Sequence, residues 1–216
     1  MYKYLFLFLI FGACTKDRVI ADIPQDPIEV DGDRQVINYW SFNNDEPPTE
    51  LMMPSFSFTV GQLIYRGNEQ QLPYCDGGNQ SCWESVNDGT ELNAVNGAPA
   101  GRALRLRNPA SELIIESSTV GFREIELSYA MKRTGSGAQV NAIFYSTDGS
   151  NFIFSGVEEN VFTITEDYER IIFDVSNIPG LNNNPNVKFK IVFEDGNNNS
   201  SGNNRMDNLL ITGVAM

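Results

Sequence analysis

Short runs of alternating apolar and polar residues recur along most of this chain, separated by clusters of Gly, Asn, Asp and Pro. No long run repeats with the period of a helix. Such alternation is typical of β-strands that bury one face, and regular spacing of strand and turn signals predicts an all-β fold, an antiparallel β-sandwich. Predicted strands span 36–42, 103–107, 124–129, 140–145, 171–175, 187–193 and 206–212, and Asp148-Gly149 predicts a hairpin turn.

The first residues have a different pattern. Lys3 precedes an aromatic and aliphatic run that ends in Gly12-Ala13-Cys14. The run is much shorter than the roughly 20 residues that cross a bilayer as a helix, and it fits a secretory signal. Its end resembles the lipobox of bacterial lipoproteins. This resemblance implies that residues 1–13 are a signal peptide and that Cys14 carries the lipid anchor, including palmitate-type acyl chains. The alternative is an ordinary cleaved signal followed by an incidental cysteine.

Residues 14–35 are predicted to be a flexible tether between the lipid and a single domain at 36–216. Pro24, Pro27, Gly32 and scattered acidic residues interrupt every apolar period in this segment. Thr15-Lys16-Asp17 resembles the export signal that follows the lipidated cysteine of some surface lipoproteins. We therefore predict an outer-membrane location, with the cell surface favoured over the periplasmic face.

Composition excludes several function classes. The chain has no histidine, so a Ser-His-Asp triad, a Cys-His pair and the usual zinc sites are excluded, whereas carboxylate-only glycosidase chemistry is not. The formal net charge of −13 argues against nucleic acid as a partner, because phosphates would be repelled. Glu124 and Glu126 are a candidate acidic pair, but the chain lacks the Glu-x-Asp-x-x-Glu signature of jelly-roll glucanases.

Two cysteines, Cys75 and Cys82, remain once Cys14 is assigned to the anchor. In an oxidising compartment an even pair predicts a disulfide, and free thiols are the alternative. The pair lies in a long stretch, 66–101, that is predicted to be a loop. A second polar loop is predicted at 195–204, before the last strand.

Four segments together resemble a known domain: Arg123–Ser136, Phe144–Gly149, Asn183–Phe193 and Ser201–Asn208. They are similar to the galactose-binding-like jelly roll, which is akin to calcium-containing carbohydrate-binding modules. The resemblance covers about residues 36–214. It implies a jelly-roll sandwich and a non-catalytic binding role, although fold alone does not fix function.

The same resemblance implies a structural calcium ion that joins the first strand to the last. Its ligands would be Asp207 in the motif Arg205–Leu209, together with Asn43, Asn44 or Asp45 after the first strand. Calcium takes six to eight oxygens from carboxylates, amides and carbonyls, which these residues can supply in part. The alternative is that Asp207 caps a turn by accepting bonds from backbone N–H groups.

Exposed aromatic residues are the candidates for stacking on sugars. Trp83 and Tyr74, on either side of the predicted disulfide loop, form the predicted sugar platform, and packing of Trp83 on the disulfide is the alternative. For Tyr39 and Trp40, strand alternation sends one side chain into the core without indicating which.

These patterns predict a non-catalytic envelope lipoprotein whose domain binds glycan or another extracellular ligand. The rival prediction is a structural or adhesive module of an envelope assembly without a small ligand. A carboxylate-only glycosidase is a third, weaker possibility.

Overall fold

The structure, a computed structural model, describes residues 30, 32–43, 53–67, 83–108, 110–196 and 202–216. Twelve strands follow one another along these segments. They are β1 (Arg34–Trp40), β2 (Phe56–Ser57), β3 (Gly61–Gly67), β4 (Trp83–Val86), β5 (Ala103–Arg107), β6 (Ala110–Ser117), β7 (Phe122–Arg133), β8 (Val140–Ser146), β9 (Val161–Thr163), β10 (Glu169–Asp174), β11 (Lys188–Glu194) and β12 (Asn203–Ala215). The short 3-10 helix Pro179–Leu181 precedes β11. In the ranges given, no helix is long and apolar enough to cross a membrane.

The strands form two antiparallel sheets. One has seven strands, ordered β10-β7-β12-β1-β2, with β5 also paired to β12 and β4 paired to β5. The other has five strands, ordered β3-β6-β11-β8-β9. From β5 onward the chain passes repeatedly from one sheet to the other, as expected of a jelly roll. The predicted all-β, antiparallel jelly-roll sandwich is therefore confirmed.

The main core lies between the sheets and follows from the period-two pattern. In β5, for example, Leu104 and Leu106 are fully buried while Arg105 and Arg107 on the alternate positions remain partly exposed. The longer strands contribute their inward rows to one continuous cluster, which includes Trp40, Ile115, Leu127, Phe189 and Ile211.

A second, smaller apolar cluster lies on the outer face of the seven-stranded sheet. It consists of Val36, Tyr39, Phe56, Val95 and Leu210. Val95 comes from the loop 87–102, which therefore packs over this part of the sheet. The two neighbouring aromatics of β1 are both buried: Trp40 lies in the main core and Tyr39 in the outer cluster. Alternation predicted that they would separate, and the loop buries the outward one.

The strand predictions were incomplete, since they did not include β2, β3, β4, β6 or β9. The stretch 66–101 was predicted to be a loop, but β4 lies within it and pairs with β5, from Trp83 opposite Leu106 to Val86 opposite Ala103. Four residues carry too little periodicity to be recognised alone. The turn at Asp148-Gly149 is confirmed, since Tyr145 and Ile153 exchange two backbone bonds of 2.9 Å across it and Gly149 has φ +77°.

Candidate functional site

Asp207 is a buried carboxylate in the middle of β12. Its Oδ2 accepts the Thr90 N–H at 2.7 Å and its Oδ1 accepts the Asn208 N–H at 2.8 Å. Burial raises the pKa of this carboxyl to about 7, and the two backbone bonds lower it in part. The turn-capping contact is therefore present. Because burial penalises the charged form, a bound cation would still lower the energy of this group.

Asn43, the second predicted calcium ligand, lies just after β1 and contacts the segment 101–102. Its Oδ1 accepts the Arg102 N–H at 2.7 Å. A Cβ atom placed on Gly89 would lie 2.8 Å from both Asp207 Oδ2 and the Arg102 carbonyl oxygen. Carboxylate, amide and carbonyl oxygens, the ligand types that calcium uses, thus lie around the segments 89–90 and 101–102.

The other two predicted ligands, Asn44 and Asp45, lie outside the described residues. In the part of the chain that is described, no group of three or more His, Cys, Asp or Glu side chains is placed to hold a metal ion. A calcium ion here would therefore depend on amide and carbonyl oxygens as well as on Asp207.

Asn208, which the sequence did not single out, fixes the loop 87–102 on the sheet. It has φ +50° and lies where the pairing of β12 with β7 shifts register. Its Nδ2 donates to Thr90 O at 2.7 Å and to Leu92 O at 2.9 Å, and its Oδ1 accepts the Tyr39 hydroxyl at 2.5 Å. Its carbonyl accepts Asn93 Nδ2 at 2.7 Å. A β-bulge lets successive residues Asp207 and Asn208 both serve one loop.

The residues of the predicted sugar platform and of the predicted disulfide lie largely outside the described residues. Tyr74, Cys75 and Cys82 are not among the described residues, and for Trp83 only the backbone is described, as the first residue of β4. Cys14 and the segment before residue 30 also lie outside. The sugar-binding roles of Trp83 and Tyr74, the disulfide and the lipid anchor therefore stay predictions.

A different set of aromatic side chains lies on the outer face of the five-stranded sheet. Phe144 in β8 contacts Phe154 edge to face, with ring centroids 5.8 Å apart. The Lys190 ammonium of β11 lies 5.4 Å from the Phe144 ring centroid and 4.6 Å from that of Phe152. Phe154 is 53% exposed. We call Phe144, Phe152, Phe154 and Lys190 the phenylalanine platform.

The strands around the platform explain its position. Lys190 lies opposite Phe144 in the β11–β8 pairing and approaches Glu112 of the neighbouring β6 at 3.9 Å. Val161 of the edge strand β9 is 52% exposed at the rim. The chain thus presents aromatic faces, a cation and a carboxylate side by side on one sheet surface.

The sequence contained a signal for this platform. Phe152 and Phe154 alternate after the turn at Asp148-Gly149, and Phe144 alternates with the buried Ile143 and Tyr145. The predicted sugar-stacking residues were Trp and Tyr only, and these phenylalanines were not among them. Exposure of a ring also depends on the absence of a covering loop, which the alternation does not reveal.

The acidic pair considered for glycosidase chemistry is held by arginines. Glu124 pairs with Arg123, and Glu126 lies 3.9 Å from Arg170. Glu124 has φ +54° at an irregular point of β7, so the regular alternation that would place it beside Glu126 is interrupted.

No protein-family model matches the sequence, and no curated protein matches it. Among solved structures, the chain is similar to the CBM22-1 xylan-binding domain of Xyn10C from Paenibacillus barcinonensis, with 12% identity and a TM-score of 0.45, covering 87% of this chain and 99% of that one. It is also similar to domain 4 of AbnA, a GH43 extracellular arabinanase from Geobacillus stearothermophilus, solved with arabinotriose (15% identity, TM-score 0.46, covering 86% and 95%).

A third similar structure is the K2 cleaved adhesin domain of Lys-gingipain, with 12% identity and a TM-score of 0.43, covering 80% of this chain and 96% of that one. At these identities and TM-scores the likeness carries no argument about what this chain binds. The class that the molecule itself defines is an antiparallel jelly-roll β-sandwich with an aromatic outer face.

Proposed function

We propose that this chain is a non-catalytic, lipid-anchored protein of the cell envelope whose sandwich domain binds a glycan on the phenylalanine platform. The observation that supports the proposal is the cluster of Phe144, Phe152 and Phe154 around Lys190 on one sheet face, with Phe154 more than half exposed and the other two rings partly exposed. Isolated exposed apolar residues are ordinary, whereas contiguous ones mark interaction surfaces. Aromatic faces stack on the apolar faces of sugar rings, and Lys190 and Glu112 offer a donor and acceptors to hydroxyl groups.

The anchoring part of the proposal rests on Cys14 and its lipobox-like context. Two or more acyl chains hold a protein stably on a bilayer, whereas one chain binds only marginally. The tether at 14–35 would keep the domain near the membrane. The proposed location is the outer membrane, with the cell surface favoured over the periplasmic face. Glycan and membrane are then the two proposed partners.

A structural calcium ion is a further part of the proposal. Asp207 and Asn43 would hold it, with the Arg102 carbonyl and with Asn44 or Asp45. The ion would supply positive charge to a buried carboxylate and join the end of β1 to β12. The support is the presence of three oxygen types around the segments 89–90 and 101–102.

The test is a screen of neutral polysaccharides with the full-length chain and two matched variants. Phe154→Ala removes a platform ring that is 53% exposed, and Phe58→Ala removes a ring that is 51% exposed elsewhere on the molecule. Loss of the contact between one ring and a sugar should weaken binding by about tenfold in Phe154→Ala and leave Phe58→Ala near the parent affinity.

Several outcomes would contradict this assignment. Equal loss in both variants would show that the platform has no special role. Loss in Trp83→Ala or Tyr74→Ala alone would move the site to the surface that the sequence predicted. Absence of glycan binding, with an envelope protein captured through Phe154, would favour the adhesive alternative, since the same apolar surface suits a protein partner.

A further inference from the structure

The outer face of the seven-stranded sheet carries a row of cations on three adjacent strands. Lys132 of β7 lies directly opposite Arg205 of β12, and Arg205 lies directly opposite Arg105 of β5. Alternation places all three outward, because their neighbours Met131, Leu104 and Met206 belong to the main core. We call Lys132, Arg205 and Arg105 the basic row.

Two carboxylates serve the basic row and the adjacent Arg107. Asp88 accepts from Lys132 at 2.7 Å and also pairs with Arg205. Glu84 pairs with Arg105 and accepts from Arg107 at 3.0 Å. Four cations therefore share two carboxylates.

A third acidic residue, Asp167, also acts on Lys132. Among the described residues, the four cations thus form ion pairs with two carboxylates, in a chain whose formal net charge is −13.

The close approach of these cations carries an electrostatic cost. Like charges directly opposite each other on neighbouring strands are destabilising, and the row contains two such pairs in succession. The side chains are only 20–24% exposed, so water screens them incompletely. Burial lowers the pKa of both Lys132 and Arg105, and Arg107 adds to the effect on Arg105. The buried Arg105 Nε also has no hydrogen-bond partner.

We propose that the basic row is a second binding site, which takes the carboxylate groups of an acidic glycan. Neighbouring strands are about 4.8 Å apart, so the row is a ladder of cations at that repeat. A uronic-acid chain carries one carboxylate per sugar ring, a repeat of similar length. Arginine forks bind carboxylates with paired hydrogen bonds.

Other polyanions fit less well. A nucleic acid brings densely spaced phosphates, which the overall negative charge of the protein repels. The site lies on the opposite face of the sandwich from the phenylalanine platform and does not require it.

Binding to two matched probes tests the proposal: galacturonic-acid oligosaccharides, and the same oligosaccharides after chemical reduction of their carboxyl groups. The full-length chain in detergent should bind the acidic probe at least tenfold more tightly than the reduced one. Arg205→Gln and Lys132→Gln should each weaken acidic-probe binding about tenfold. Arg123→Gln, which removes the same charge from the other end of β7, should change it less than twofold.

Thermal melts separate this role from a structural one. In Arg205→Gln, Asp88 keeps Lys132 as its partner and both like-charge pairs of the row are removed, so the melting temperature should stay the same or rise. The proposal is overturned by equal affinity for both probes, by no binding of the acidic probe, by an equal loss in Arg123→Gln, or by a clear fall in the melting temperature of Arg205→Gln. Phe154→Ala should leave acidic-probe binding intact, so failure of the platform and failure of the basic row are distinguishable.

Discussion

The two outer faces of the sandwich differ in how far their apolar residues are exposed to solvent. On the seven-stranded sheet, Tyr39 and Leu210 are covered by Val95 of the loop 87–102, which Asn208 fixes in place. On the five-stranded sheet, Phe154 and Val161 remain more than half exposed. Within the described residues, a loop thus buries apolar surface on one face, whereas Phe154 and Val161 on the other face stay exposed. An open aromatic face contributes little to folding, so we attribute it to binding.

The largest expected effect comes from uncovering the closed face. Asn208→Ala removes the bonds to Thr90 O and Leu92 O and the acceptor of the buried Tyr39 hydroxyl. Leaving these groups unpaired should lower the free energy of unfolding by about 3 kcal/mol. Urea denaturation measures this change in the free energy of unfolding.

Asn96→Ala is the matched control for that experiment. Asn96 also has a left-handed backbone, with φ +55°, but it is exposed. Its replacement should cost only the backbone strain, about 1 kcal/mol. Equal losses in the two variants would mean that strain, and not the hydrogen bonds to the loop, accounts for the effect.

Calcium should stabilise the protein through the face that the loop 87–102 covers, where Asp207 lies. At pH 8 the Asp207 carboxyl, whose pKa is raised to about 7, is mostly ionised. Calcium at about 100 times its dissociation constant should then stabilise the protein by about 2.7 kcal/mol relative to chelator. Thermal melts of the full-length chain measure the shift.

Asp207→Asn should abolish the calcium shift, and Asp174→Asn, an exposed carboxylate on the same sheet, should retain it. If the parent chain melts at the same temperature with calcium and with chelator, the proposed site is wrong and the Asp207 contacts serve the loop alone.

The smallest expected effect is on the open face. Phe154→Ala should change the free energy of unfolding by less than about 0.5 kcal/mol, because more than half of the ring already contacts water. Val95→Ala, on the covered face, should cost about 1–2 kcal/mol by leaving a gap beneath the loop. Guanidinium denaturation of both variants compares the faces directly. Similar losses would show that Phe154 is structural and would remove the reason for assigning it to binding.

Local pattern determined the fold class because burial in a sandwich has a period of two. The inward residues of β5, β8 and β11 could be recognised from the alternation alone. β4 was not recognised, since its four residues are a strand only by virtue of pairing with β5. The separation of Tyr39 from Trp40 was predicted as a pattern, but the burial of Tyr39 depends on a loop more than fifty residues later in the chain.

The candidate sites likewise have parts that could be predicted from the sequence and parts that depend on the tertiary structure. The lipobox-like N-terminal pattern and the exclusion of histidine chemistry could be recognised from the sequence alone, because each depends on residue type and local context. Asp207 was predicted as a calcium ligand from the family resemblance, and that role stays a prediction. Only the tertiary structure placed Phe144, Phe154 and Lys190 on one surface, and Lys132, Arg205 and Arg105 in one row. Register between strands distant in sequence decides both arrangements. That register is set by the packing of whole sheets, which no single segment encodes.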